Sequence, residues 1–103
     1  MIFMTQSEAI TAAKTVRPTD LADDILARFL SEIEGRVAFE LHKDLYWEDN
    51  GFLMVRFPYC KLYWMHLVRM IDFAAGDMAR YKESSALFES AWQEYANYCQ
   101  QTR

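Results

Sequence analysis

The sequence predicts an all-α fold: a small bundle of three long helices behind a short N-terminal one, with a small β-hairpin or extended loop between the second and third helices. Three observations predict it. Apolar residues recur at three- and four-residue steps through three separate stretches, the mark of amphipathic helices. Helix breakers are scarce, with three Gly and two Pro in 103 residues. Between Asp44 and Pro58 the period changes, and LYWEDNGFLMVRF reads as two short apolar runs about Asn50-Gly51, a pair that tolerates the positive φ of a hairpin turn. An irregular connector is the other reading of that stretch. With 52% hydrophobic and 25% charged residues, a chain of this length forms one domain, residues 1–103, around a single modest core.

The first helix is expected over Ser7 to Lys14, with Thr5 or Ser7 as cap and Arg17-Pro18 as terminator, because Pro restricts the residue before it. The second is expected from about Asp20 to about His42. Its apolar residues Leu26, Phe29, Leu30, Ile33, Val37 and Leu41 fall within an arc of about 120°. Asp23 and Asp24 in its first turn suit the helix dipole. Gly35 inside this helix costs roughly 1 kcal/mol relative to Ala, and close approach of another backbone is the expected compensation. Glu40 projects onto the apolar side, where an ion pair with Arg or Lys would satisfy it. The last helix is expected from Ser84 or Ser85 to Gln101, with either serine as N-cap. Its stripe of Phe88, Ala91, Trp92, Tyr95, Tyr98 and Cys99 opposes Glu89, Gln93, Asn97 and Gln100. From these stripes the core residues are Leu30, Ile33, Val37, Leu67, Ile71, Phe88, Trp92 and Tyr95.

The third helix, within PYCKLYWMHLVRMIDFAAGDMARY, is the most informative stretch. Projected at about 100° per residue, Tyr63, Trp64, Leu67, Met70, Ile71, Ala74, Met78 and Tyr81 share one broad face, the expected core side. The reverse side carries Lys61, His66, Arg69, Asp72, Asp77 and Arg80 with Leu62, Met65 and Phe73 among them. Arg69 with Asp72 and Asp77 with Arg80 are spaced for local ion pairs. A membrane span is excluded, because it needs about 20 mostly uncharged apolar residues. A wholly buried helix would desolvate several charges at several kcal/mol each. Two readings remain for the reverse side: a subunit interface built on Leu62, Met65, His66, Arg69, Asp72 and Phe73, or a solvated face with scattered apolar residues.

Composition narrows the function further. Aromatic residues reach 16%, more than one small core easily hides, and exposed aromatics mark interfaces. A net charge of −4 and a pI near 5.1 argue against broad phosphate-backbone binding, which needs a Lys/Arg surplus. MIFMTQSEAI has neither a basic n-region nor an apolar stretch of signal length, so a cytoplasmic product with reduced Cys60 and Cys99 is expected. No catalytic, metal or cofactor constellation is visible. His42 and His66 lie apart without ligand spacing. Cys60 and His66 project about 240° apart around a helix and cannot grip one metal, and no Gly-rich phosphate loop, GxSxG or HExxH occurs. An enzyme is therefore not expected.

Three stretches together resemble the helical head–tail connector (neck) proteins of tailed bacteriophages and prophages. The first, TVRPTDLADDILARFLSEIEGRVAFELHK, carries Leu30, Ser31, Glu32, Ile33, Glu34, Gly35 and Arg36 of a Leu-Ser-Glu-x-Glu-Gly-Arg-like segment. The second carries Pro58, Tyr59, Leu62 and Tyr63 of the helix start, then Ile71, Asp72, Phe73, Ala74, Gly76 and Asp77, followed by Arg80-Tyr81. The third, SSALFESAWQEYANY, supplies Ser84, Phe88, Ala91 and Trp92. The resemblance implies a virion structural protein made in the host cytoplasm. It would form a homo-oligomeric ring between portal and tail or neck proteins, with no cofactor, and DNA would pass through its channel without specific binding. The competing reading is a small helical protein-binding or regulatory module of phage or bacterial origin, homodimeric, which holds one partner through its exposed aromatics.

Overall fold

The computed structural model describes residues 3–42 and 51–101. Thr5 ends a short strand and starts the first helix. Its side chain accepts from the Glu8 amide at 3.1 Å while Glu8 accepts from the Thr5 amide at 2.9 Å, a reciprocal cap that satisfies two otherwise orphaned donors. The strand is β1 (Phe3–Thr5) and the helix α1 (Gln6–Val16), which ends at Arg17 immediately before Pro18. The second helix, α2 (Asp23–Glu40), places Asp23 and Asp24 in its first turn and buries Leu26, Leu30, Ile33 and Val37.

The period change after α2 corresponds to a strand, β2 (Phe52–Arg56), whose partner among the described residues is β1. β2 pairs antiparallel with β1 at the other end of the first half of the chain. The first arm of the expected hairpin and Asn50 lie outside the described residues. Gly51, at the entry to β2, has φ +86°, the left-handed region that glycine enters without steric cost.

The stretch from Pro58 to Tyr81 is two helices, not one. α3 (Lys61–Ala74) stops at Ala75, and α4 (Met78–Gln101) begins six residues before Ser84, the first of the two serines expected to cap it. Gly76, at φ +73°, makes the break, because a left-handed residue after the last helical turn ends the hydrogen-bond ladder. Ser84 is thus an interior residue of α4, and its hydroxyl oxygen lies 2.9 Å from the Arg80 carbonyl.

α3 is the central element, packed against α4, α1 and α2. One cluster contains all eight residues expected in the core, joined by Ala9, Ala13, Val55 and Tyr63. Around Gly35 the expected close packing is absent. A Cβ there would meet no atom within 4 Å, because the residue faces an open cleft bordered by β2. The glycine therefore keeps its helix penalty without steric compensation. Gly35→Ala is expected to stabilise the protein by about 0.4–1 kcal/mol, read as a rise in the urea midpoint. A lower midpoint would show that the cleft closes on this position in solution.

Candidate interaction surface

The charges on α3 are not where a two-faced helix would put them. Leu62, His66 and Asp72, expected on a partner-facing side, are buried within the chain itself. α1, α2 and α4 pack around α3, so these three residues present no surface to a partner chain. Met65 and Arg69 are half-buried, and Phe73 alone of the six is well exposed, at 54%. On the expected core side, Ala74 and Met78 are exposed because the helix breaks beside them.

Asp72 is tolerated at 2% exposure because two elements satisfy it. Arg17, at the end of α1, approaches its carboxylate at 2.8 and 3.4 Å, and the Ser84 hydroxyl donates to it at 2.9 Å. The expected Arg69–Asp72 pair is therefore replaced by a long-range one. Asp72→Ala is expected to cost about 2–3 kcal/mol, below the loss for a fully enclosed pair, because Arg17 retains access to water. Replacing Arg17 as well should recover part of that loss in a double-mutant cycle measured by urea unfolding. Strict additivity would argue that the two side chains are not coupled.

Arg69 instead lies flat on Phe88, its guanidinium carbon 3.9 Å from the ring centroid, and reaches Glu89 at 3.5 Å. Its Nε donates to His66 Nδ1 at 3.0 Å, which makes Nδ1 the acceptor and leaves the imidazole neutral. Burial first, and then the Arg69 and Arg36 charges, push the His66 pKa down to about 4, against a smaller opposing effect of the Phe29 carbonyl.

A second, half-buried carboxylate escaped the helical projection. Glu34 accepts from the Met54 amide at 2.8 Å and from the Tyr63 hydroxyl, while Tyr63 oxygen accepts from the Val55 amide at 2.9 Å. The pair fastens β2 to α2 and α3. Burial raises the Glu34 pKa and, with the carboxylate beside it, that of Tyr63. Glu40, the carboxylate singled out in the sequence, forms an exposed pair with Arg36 at 2.8 Å. Arg36 also stacks on Trp92 at 4.1 Å. His42 bonds Tyr95. Asp77 and Arg80 pair at 3.5 Å, as their spacing suggests.

Asp72, Glu34 and Arg69 are thus committed to holding elements together, whereas Arg36–Glu40 and Asp77–Arg80 are local pairs. Among the described residues no three His, Cys, Asp or Glu side chains could hold a metal ion. No described helix is long and apolar enough to cross a membrane. Cys60 and Cys99 are not joined in a disulfide, and burial raises the Cys60 pKa, which makes its sulfur a poor nucleophile.

What the described surface does offer is apolar. Val16, Ile25, Phe39, Phe57, Phe73, Met78 and Leu87 are all exposed. Two of them, Val16 and Leu87, rim a groove of about 220 Å³ whose walls include Trp64, Met65 and Val68. Phe73 and Met78 straddle the turn between α3 and α4, and the Phe73 ring leans on Tyr81 with centroids 5.4 Å apart. Sequence periodicity missed Leu87 and Val16 because each lies at the margin of an otherwise regular stripe. No protein-family model, curated protein or solved structure matches the chain.

Proposed function

We propose that the chain is a structural assembly protein of the head–tail connector kind, a subunit of a homo-oligomeric ring between portal and tail. One observation carries this reading. Large apolar side chains, including Phe39, Phe57, Phe73, Met78 and Leu87, are left in water on a small domain whose buried ionisable groups all serve its own packing. Such a surface suits contact with other protein chains. The resemblance of its three helical stretches to neck proteins supplies the particular assembly. The net charge of −4 suits a channel through which DNA slides without being held. In this reading the protein resides in the virion after synthesis in the bacterial cytoplasm, and it needs no cofactor and catalyses no reaction.

Light scattering and negative-stain imaging of the purified chain, alone and with a candidate portal ring, test it. The expected result is a closed ring of a single size, formed alone or on the portal. A chain that remains monomeric in both settings overturns the proposal. A closed two-fold dimer indifferent to the portal also overturns it, and supports a homodimeric binding module instead.

A further inference from the structure

We infer that copies of this chain associate head to tail, the Phe73–Met78–Tyr81 knob of one copy seated in the Val16–Trp64–Leu87 groove of the next. The inference rests on the self-assembly reading above and specifies its contact. Its basis is where the two apolar patches lie. On α4 the buried stripe runs through Ser84, Phe88, Ala91, Trp92 and Tyr95. At 100° per residue, Leu87 and Met78 each project about 90° from the centre of that stripe, on opposite flanks. On α3, Phe73 projects about 130° away from the side formed by Trp64, Met65 and Val68. The patches therefore face different directions on both helices. A two-fold contact uses one self-complementary patch, whereas a heterologous contact uses two different ones.

Shape and charge both match the second copy as occupant. The knob is preorganised, with Phe73 already resting on Tyr81, so little side-chain freedom is lost on docking. The groove, at about 220 Å³, lies below the roughly 300–1,000 Å³ of small-molecule pockets and suits one or two inserted side chains. Glu83 stands at the groove, and Lys82 lies one helical turn from Met78 beside the knob. Both are exposed, and neither has an ion-pair partner among the described residues. A head-to-tail contact brings Lys82 of one copy to the acidic edge of the next.

Sedimentation velocity at millimolar concentration, with circular dichroism to verify the fold, tests this on Phe73→Asp and Leu87→Asp. Both residues are more than half exposed, so neither substitution should disturb helix content. Each variant is expected to weaken self-association tenfold or more. An equimolar mixture should form a heterodimer and nothing larger, because it contains one intact knob and one intact groove. Lys82→Glu and Glu83→Lys should each weaken assembly, and the double variant should restore it.

If the wild type assembles and both aspartate variants assemble equally well, this contact is overturned while the connector reading stands. A mixture that stays monomeric also overturns it, in favour of a two-fold patch. If the wild type assembles neither alone nor on a portal ring, the connector reading falls and this contact falls with it.

Discussion

Truncating Trp92 to alanine is expected to lower the unfolding free energy by about 3–5 kcal/mol. The ring is 6% exposed, in the buried stripe of α4 beside Phe88, and the Arg36 guanidinium covers its face. Removing it deletes a large apolar contact, leaves a void beneath α2, and strips Arg36 of its stacking partner. A domain of this size has only about 5–15 kcal/mol in hand, so the variant should begin to unfold at a much lower urea concentration. Circular dichroism is the appropriate probe, since the substitution removes a fluorophore. A loss below about 1 kcal/mol would place the ring at the surface in solution.

Acid is expected to remove a comparable amount through one residue. His66 has an ordinary pKa of 6.5 when unfolded and about 4 when folded. Above the unfolded value the imidazole is neutral in both states, and its contribution is fully present. As the pH falls from 6.5 through 4 the unfolded chain takes up a proton that the folded chain refuses, and up to about 3 kcal/mol is lost. Glu34 acts in the opposite sense. Burial raises its pKa, so its protonation favours the folded state and offsets part of the loss at the acid end. Unfolding curves of the wild type and of His66→Gln at about pH 7 and about pH 4.5 separate the two effects. The variant keeps an acceptor for Arg69 without a titrating ring, and it should lose distinctly less stability on acidification. An equal loss in both proteins would mean that other groups carry the acid sensitivity.

Helices were legible in the sequence because each announces itself locally. Leu26, Leu30, Ile33 and Val37 repeat within one segment, as do Phe88, Trp92 and Tyr95. The end of α1 was legible for the same reason, through Arg17-Pro18. The break at Gly76 was not, since one glycine interrupts a pattern in which Ile71, Met78 and Tyr81 happen to stay in phase. Nor was the burial of Asp72, whose partner Arg17 is 55 residues away. The projection of α3 sorted residues by polarity, and that fails for a helix enclosed by three others, where long-range partners permit charge inside. Glu34 escaped for the same reason, its partners being Tyr63 and a strand edge. β1, at three residues, is too short for any periodicity to mark.

The knot of Arg17, Asp72 and Ser84 also bears on how the molecule comes apart. It ties the residue that caps α1 to the last turn of α3 and to the first half of α4, while β1 holds β2 at the opposite side. An opening of the N-terminal strand and helix would strand a carboxylate in the interior and release the edge of β2 in the same event. Fraying that elsewhere begins at a chain's end is therefore coupled here to loss of the core. Amide protons of α1 should exchange on the timescale of global unfolding, and the strand, the first helix and the C-terminal helix behave as one cooperative unit.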